Sequence, residues 1–250
     1  MTEMAIYYDT TKCTACRACM AACKQWNSLP GVRNPKKADK KRFTGPGYQN
    51  PDNLSINTWL MMEFHTLLGN DRDAEGNWNF LRFACMHCTN APCKAICDSL
   101  PYQAIERSPE GFIYVDPVKC QATACKALTV RGVKSMCQEG CPFGVPRIGK
   151  ADTDGDGVKD KVIMRKCKGC FDRLPYGLEP ACVKTCGPEA LQYGDRSAMV
   201  SAALARAADA DVLAKYPHAN VYGLDGPWGG SHVIYVLSQP PAFYGLPDGP

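Results

Sequence analysis

Sixteen cysteines in a chain of 250 residues constrain this sequence more than any other feature. So many thiols need either disulfide bonds or bound metal to account for them. They divide into four groups along the chain, with short spacings such as C-x2-C inside most groups. The groups are Cys13, Cys16, Cys19 and Cys23; Cys85, Cys88, Cys93 and Cys97; Cys120, Cys125, Cys137 and Cys141; and Cys167, Cys170, Cys182 and Cys186.

The spacing argues against disulfides and against zinc. Disulfides predict a secreted, loop-rich chain, and C-x2-C pairs would close loops too short to contribute much stability. Four tetrahedral zinc sites would use all sixteen thiolates. However, zinc gives no reason for the crowded C-x2-C-x2-C-x3-C run from Cys13 to Cys23. A structural zinc scaffold is therefore the less favoured alternative.

The run from Cys13 to Cys23 resembles the cysteine run of bacterial-type ferredoxins, which hold [4Fe–4S] clusters. In that pattern the first three cysteines bind one cluster and the fourth binds another. The resemblance implies four clusters, each held by three cysteines of one group and one cysteine of a distant group. The implied iron ligands are Cys13, Cys16 and Cys19 with Cys186; Cys167, Cys170 and Cys182 with Cys23; Cys85, Cys88 and Cys93 with Cys141; and Cys120, Cys125 and Cys137 with Cys97.

An internal repeat indicates how the chain is organised. The spacing C-x11-C-x3-C occurs from Cys125 to Cys141 and again from Cys170 to Cys186. This repeat favours two fused modules with two clusters each. The predicted fold is α+β, with two nested ferredoxin-like modules related by a pseudo-twofold, surface loop insertions and a C-terminal helix–strand extension. The predicted domains are residues 1–55 with 145–196, residues 56–144, and residues 197–250.

Hydrophobic patterning predicts elements around the cysteine groups. Strands are predicted for Met4–Tyr8, Ile56–Leu68, Trp78–Phe83, 104–106, 112–116 and His232–Leu237. Ser197 is predicted to cap a helix that ends at Pro217. The apolar stripe of this helix is predicted to be Val200, Leu204, Ala208 and Val212. Residues 240–250 are predicted to form an extended tail.

Other residues near the cysteines have two interpretations each. Lys12, Lys119 and Lys166 each precede the first cysteine of a group. A nearby cation would raise the potential of a cluster, and a solvated lysine is the alternative. His87, inside C-M-H-C, is predicted to be a spacer and not a ligand. Trp26, Trp59 and Trp78 are expected to be buried packing residues. The alternative is that they line an electron path.

Residues 152–157 have the D-x-D-x-D-G spacing of a calcium loop. The twelfth position is Ile163, where an EF-hand needs a bidentate glutamate, so an ordinary EF-hand is not expected. An acidic surface turn is the favoured interpretation. A weak calcium site at Asp152, Asp154 and Asp156 is the alternative.

The sequence lacks the patterns of several other functions. No Ser/His/Asp arrangement, phosphate loop or dinucleotide fingerprint is present, so no catalytic centre of its own is predicted. The formal net charge is +4, but four oxidised clusters with their thiolates would bring it to about −4. No stretch combines basic and aromatic residues as nucleic-acid binding requires. No apolar run is long enough to predict a direct membrane span.

The whole cysteine frame resembles the iron–sulfur beta subunits of molybdenum or tungsten oxidoreductases of the dimethyl sulfoxide reductase family. C-K-Q-W-N in the first group, C-M-H-C in the second, and G-G-S-H-V-I-Y-V-L with Y-G-L-P near the end are similar to formate dehydrogenase beta subunits. The resemblance implies a catalytic alpha subunit that carries a molybdopterin-bound metal and interconverts formate and carbon dioxide. This chain would relay electrons to an acceptor such as a cytochrome or ferredoxin. The equivalent subunit of a polysulfide, nitrate or hydrogen oxidoreductase is the alternative.

The resemblance also implies an orientation and a location. The cluster on Cys13, Cys16, Cys19 and Cys186 would face the alpha subunit, and the module built on Cys97 and Cys120 would be distal. No membrane helix follows Y-G-L-P, so a soluble complex is expected. Because such subunits can be exported folded on the signal of their partner, a periplasmic location is expected, with the cytoplasm as the alternative.

Overall fold

The computed structural model describes residues 2–31, 48–66, 78–127, 134–151 and 161–247. Within these ranges the protein is a small mixed α/β fold, and none of the helices there is long and apolar enough to cross a membrane. The strands are β1 Met4–Asp9, β2 Leu60–Thr66, β3 Trp78–Ala84, β4 Ile105–Arg107, β5 Ile113–Val115, β6 Arg147–Ala151, β7 Lys161–Arg165, β8 Leu191–Asp195, β9 Asn220–Tyr222 and β10 Val233–Leu237. The α-helices are α1 Ala18–Trp26, α2 Pro92–Asp98, α3 Ala122–Ala127, α4 Met136–Glu139, α5 Ala181–Lys184, α6 Arg196–Ala207 and α7 Ala210–Lys215.

A four-stranded sheet joins the two ends of the chain. Its order is β8-β1-β10-β9, and β1 runs parallel to β10 but antiparallel to β8. Successive side chains of a strand point to opposite faces. Ala5 and Tyr7 of β1 pack with Ala203 of α6, whereas Ile6 and Tyr8 belong to the core that contains the cysteines. The sheet therefore lies between α6 and the cysteine-rich half of the fold.

Three antiparallel hairpins surround that core: β2 with β3, β4 with β5, and β6 with β7. The predicted strands are confirmed, although β2 begins at Leu60 and not at Ile56. The acidic stretch 152–160, with its alternative calcium site, lies outside the described residues.

Short helices carry cysteines of all four groups and pack in two pairs. α1 contains Cys19 and Cys23 and packs against α5, which contains Cys182. α2 contains Cys93 and packs against α4, which contains Cys137. The first group thus meets the fourth, and the second group meets the third.

The predicted start and end of the C-terminal helix are wrong. Asp195 and not Ser197 caps α6, because the Asp195 carboxylate accepts a hydrogen bond from the Ser197 backbone N–H at 2.9 Å. The helix ends early because Asp209 caps a second helix, α7, by accepting from the Val212 N–H at 3.0 Å. Two short helices therefore replace the single predicted one.

The predicted apolar stripe and extended tail are also corrected. Val212 is buried and Val200 packs against the buried cluster as predicted, but Leu204 is 50% exposed. The residue of α6 that is fully buried is Ala203. The tail contains a 3-10 helix at Pro241–Tyr244, in which the Tyr244 side chain is buried. Its hydroxyl lies 2.8 Å from the hydroxyl of Ser238, so the tail is packed onto the end of β10.

Candidate iron–sulfur sites

The sixteen cysteines come together in four sets, and each set joins two distant parts of the chain. Set 1 is Cys13, Cys16, Cys19 and Cys186; set 2 is Cys23, Cys167, Cys170 and Cys182; set 3 is Cys85, Cys88, Cys93 and Cys141; set 4 is Cys97, Cys120, Cys125 and Cys137. Sets 1, 3 and 4 each line a cavity with all four of their cysteines. In set 2, burial raises the pKa of Cys23, and the charges of the other three cysteines raise it further. The structure brings together the cysteines that the ferredoxin resemblance pairs, while ligation itself stays a prediction.

Apolar side chains form the walls of these cavities. Tyr8, Met62 and Leu191 line the cavity of set 1. Ile105 and Met164 line the cavity of set 4. Walls of this kind exclude water and lower the local dielectric, which helps to set the potential of a metal centre.

The cysteines surround space instead of converging on one point. In the described ranges, no three His, Cys, Asp or Glu side chains are placed to hold a single metal ion. A cubane cluster, which has iron at alternate corners, needs its thiolates spread around a cavity. Sets 1, 3 and 4, whose four cysteines are spread around a cavity, fit this requirement.

A left-handed residue shapes the turn inside three C-x2-C pairs. Ala15, His87 and Gly169 each follow the first cysteine of a pair by two positions and have φ values of 51°, 52° and 67°. Their backbone N–H groups donate to the sulfurs of Cys13, Cys85 and Cys167 at 3.4, 3.4 and 3.5 Å. Backbone N–H groups turned inward in this way make anion sites that are common around iron–sulfur clusters.

Further backbone donors come from outside the turns, and the shortest of these bonds runs from the Ala104 N–H to the sulfur of Cys97 at 3.1 Å. Leu191 N–H donates to the sulfur of Cys186 at 3.3 Å, and Met164 N–H donates to that of Cys120 at 3.4 Å. Hydrogen bonds to cluster sulfurs are one of the ways in which a protein adjusts a cluster's potential.

Burial raises the pKa of many of the cysteine thiols. It raises the pKa of Cys19, Cys93 and Cys170 to about 12 and that of Cys137 to about 11. Without metal these thiols are protonated at neutral pH. Iron binding therefore has to displace their protons.

Neighbouring sets interact electrostatically in the order 1, 2, 3, 4. Burial is the first reason that the pKa values of Cys19, Cys85 and Cys93 are raised, and a cysteine of the adjacent set raises each further. The pairs are Cys19 with Cys182 of set 2, Cys85 with Cys167 of set 2, and Cys93 with Cys137 of set 4.

A buried arginine tests whether anionic clusters fit these sites. Arg82 of β3 is 0% exposed, and its Nη2 lies 4.0 Å from the Cys182 sulfur. Among the described residues, its Nε and Nη1 have no hydrogen-bond partner. A buried charge without a partner costs several kcal/mol. Clusters with thiolate ligands carry the negative charge that this guanidinium needs, so the site fits them.

Lys166 is the predicted lysine that lies deepest among the cysteines. It is 4% exposed, and its ammonium donates to the carbonyl oxygens of Ile113 and Cys167. Lys119, by contrast, is about half exposed and pairs with Glu106 at 2.5 Å. The environment of Lys166 therefore fits the prediction that a nearby cation raises the potential of a cluster. The environment of Lys119 fits the alternative, a solvated lysine.

His87 and the tryptophans occupy unexpected environments. His87 is fully buried, its Nδ1 accepts from the Ile113 N–H at 2.9 Å, and its ring packs edge-on against Phe112. Burial is also the main reason that its pKa is lowered well below the ordinary value. The predicted burial of Trp26 and Trp78 is wrong, because these side chains are 42% and 47% exposed.

Sequence reasoning missed Arg82. The available signal was a charged residue inside the apolar strand W-N-F-L-R-F-A, three positions before Cys85. An isolated arginine in a strand usually marks a solvent-facing position, so the pattern alone favours exposure.

The fold and the four cysteine sets define a ferredoxin-type protein with several iron–sulfur clusters. Residues 76–196 match the family model of the 4Fe-4S dicluster domain. The nitrate-inducible formate dehydrogenase iron–sulfur subunit of Escherichia coli (strain K12) is 32% identical over 99% of this chain and 74% of its own length. Beta subunits of formate dehydrogenases from Megalodesulfovibrio gigas and Nitratidesulfovibrio vulgaris are each 32% identical, over 95% and 96% of this chain and 95% of their own lengths. This chain belongs to the family of formate dehydrogenase iron–sulfur subunits.

Proposed function

We propose that this chain is the electron-transfer subunit of a molybdenum or tungsten formate dehydrogenase. In this role it relays electrons between a catalytic alpha subunit, which holds the molybdopterin metal centre, and an external acceptor. The observation that carries the proposal is the succession of four cysteine sets. Helix α1 carries cysteines of sets 1 and 2, Lys166 lies between sets 2 and 3, and α2 carries cysteines of sets 3 and 4. The relatives support formate as the substrate of the partner, since they are named as formate dehydrogenase subunits.

All sixteen cysteines act as iron ligands in this proposal, grouped as sets 1 to 4. Formate oxidation, HCOO⁻ → CO₂ + H⁺ + 2e⁻, delivers electrons in pairs. Each [4Fe–4S] cluster, when bound, takes up and gives back one electron. The residues of this chain fix the thiolates, donate N–H groups to the sulfurs and keep water out of the cavities.

Set 1 is the proposed entrance for electrons from the alpha subunit. Cys16 is exposed, and the adjacent Arg17 lies over the Phe64 ring at 5.0 Å. The same surface carries Tyr48 and Trp78, which are 67% and 47% exposed and lie edge-to-face with ring centroids 5.3 Å apart. An exposed aromatic surface with an arginine has the composition of a protein interface.

Set 4 is the proposed exit. Cys125 is half-buried, and the nearby Val118 is 72% exposed, so this end of the succession lies close to the surface. A one-electron carrier protein such as a cytochrome or a ferredoxin is the proposed acceptor. The relative from Nitratidesulfovibrio vulgaris is named for cytochrome c-553, which supports the cytochrome.

We also infer the nested division into one module of residues 1–55 with 145–196 and a second of residues 56–144. The packing of α1 on α5 and of α2 on α4 supports this pairing of chain segments. Residues 197–250 then cover the sheet with α6 and complete it with β9 and β10.

Formate-driven reduction of the complex tests the proposal. The chain is purified with its catalytic partner, and electron paramagnetic resonance (EPR) spectra are recorded after formate addition under anaerobic conditions. We expect about sixteen iron and sixteen acid-labile sulfide per chain, four of each for every cluster, and cluster signals that formate induces. Absence of labile sulfide, or four zinc ions per chain, would end the cluster assignment. Clusters that dithionite reduces and formate does not would reject formate as the substrate.

A further inference from the structure

Arg82 lies at the boundary between sets 1 and 2. Its Nη2 lies 4.0 Å from the sulfur of Cys182 in set 2. Met62, which pairs with Arg82 across β2 and β3, lines the cavity of set 1. One fixed positive charge therefore faces two neighbouring sets.

Lys166 holds the corresponding position between sets 2 and 3. Its Nζ donates to the carbonyl oxygen of Cys167 in set 2 at 3.1 Å, and its side chain lines the cavity of set 3. Cys85 and Cys93 of set 3 line the same cavity as Lys166. Set 2 is thus flanked by two buried cations.

The cation that acts on set 4 is of a different kind. Lys161 contacts the segment of chain that leads into Cys120 of set 4. Lys161 is half-exposed, and its ammonium donates to the carbonyl oxygens of Pro117 and Val118 at 3.0 and 2.5 Å. Solvent screens a charge at the surface far more than one in the interior.

We propose that Arg82 and Lys166 are potential-tuning residues, each of which raises the reduction potentials of the two clusters between which it lies. The inference rests on the proposed function. Reduction adds a negative charge to a cluster, so a cation held beside it in a low dielectric stabilises the reduced form. The cluster of set 2 faces both cations, so its reduction potential is raised most. Among the clusters of sets 1 to 3, an electron therefore resides longest on that of set 2.

Redox titration of the holo-complex with chemical mediators tests this inference without formate. EPR signals are first assigned to sets with Cys→Ser variants of each set. For Arg82→Gln we expect the equilibrium constant for reduction to fall at least tenfold, about 59 mV for one electron, at sets 1 and 2 only. For Lys166→Met we expect the same fall at sets 2 and 3 only. Lys166→Arg and Arg82→Lys retain the charge and should keep potentials near those of the wild type.

Lys119→Met is the matched control, because Lys119 precedes Cys120 as Lys166 precedes Cys167 but lies at the surface. Its equilibrium constants for cluster reduction should stay within threefold of the wild-type values. Unchanged potentials in Lys166→Met with full cluster content, or equal shifts at all four sets, would overturn the inference. If Arg82→Gln loses its clusters, Lys166→Met alone decides, since each variant predicts its own pair of shifted sets. Because mediators supply the electrons, failure here is distinguishable from failure of the formate assignment.

Discussion

Single residues decide whether the cysteine turns can form. Gly169, between Cys167 and Cys170, has a φ of +67°, and a Cβ placed on it would lie 2.4 Å from the Phe112 ring. Phe112 is 0% exposed, so it has little room to move. Gly177 has the same φ of +67°, with no atom among the described residues within 4 Å of a Cβ.

Gly169→Ala should therefore be much more damaging than Gly177→Ala. Both changes carry the left-handed strain of about 1–2 kcal/mol, but only the first adds an overpacking cost of about 1–3 kcal/mol. Urea unfolding of the two holo-variants measures the difference. Equal free energies of unfolding would show that Phe112 does not confine this turn.

A buried histidine predicts a pH dependence. His232 is 0% exposed, its Nδ1 lies 3.0 Å from the His87 carbonyl oxygen, and Nε2 lies 3.7 Å from the Glu3 carboxylate. Burial lowers its pKa; Arg107 and Arg196 lower it further, and the contacts with His87 and Glu3 oppose this.

Because the folded pKa of His232 is lowered, the unfolded chain binds more protons as the pH falls. The contribution of His232 to the free energy of unfolding should be complete above pH ~6.5, the ordinary pKa of histidine. Below that pH, the free energy of unfolding should fall by up to about 1.4 kcal/mol per pH unit. Urea unfolding between neutral and mildly acidic pH measures this slope. His232→Gln should reduce this slope relative to the wild-type protein, and an unchanged slope in the variant would contradict the assignment.

The residues that could be predicted are those whose spacing is itself the signal. Cysteines at C-x2-C intervals are predicted to be ligands, since iron–sulfur sites impose that spacing, and the structure brings the predicted partners together. Arg82 could not be predicted, because its burial depends on the distant Cys19 and Cys182 and not on its strand neighbours.

At the scale of elements, one ion pair connects β1 to α6. Asp9 is 0% exposed at the end of β1 and accepts hydrogen bonds from Arg206 Nε at 2.9 Å and from the Thr11 backbone N–H at 2.8 Å. Arg206 is 31% exposed, so water screens the pair only partly. The pair fixes the helix on the outer face of the sheet.

Arg206→Gln should lower the free energy of unfolding by about 2 kcal/mol, between the values of exposed and buried pairs. The reason is that a buried Asp9 carboxylate loses its cation. Lys94→Gln removes an exposed pair with Asp98 on α2 and should cost about 0.3–0.5 kcal/mol. Similar losses in the two variants would show that the Asp9 pair does not stabilise the fold.

The elements themselves were partly predictable. Continuous apolar runs predict β1 and β10, because a strand that is covered on both faces is apolar along its whole length. The start of α6 was misplaced by two residues, since Asp195 and Ser197 are both good caps and only the tertiary position of β8 selects the first. The break before α7 was missed for the same reason at Asp209.

At the scale of the whole molecule, distant segments meet twice. The parallel pairing of β1 with β10 joins the first strand to the last, and set 1 joins Cys186 to the first cysteine group. The second meeting is implied by the resemblance to the ferredoxin cysteine pattern, in which each cluster takes one cysteine from a distant group. The sequence does not predict the first meeting, because parallel pairing of remote strands has no local signal.

Reciprocal cysteine variants test the crossed arrangement of the clusters most directly. EPR titration of the holo-complex is compared for Cys186→Ser and Cys23→Ser. The account predicts that Cys186→Ser alters the signal of the cluster on Cys13, Cys16 and Cys19, and that Cys23→Ser alters the signal of the cluster on Cys167, Cys170 and Cys182. The opposite pattern, in which each serine alters the cluster of its own sequence group, would contradict it.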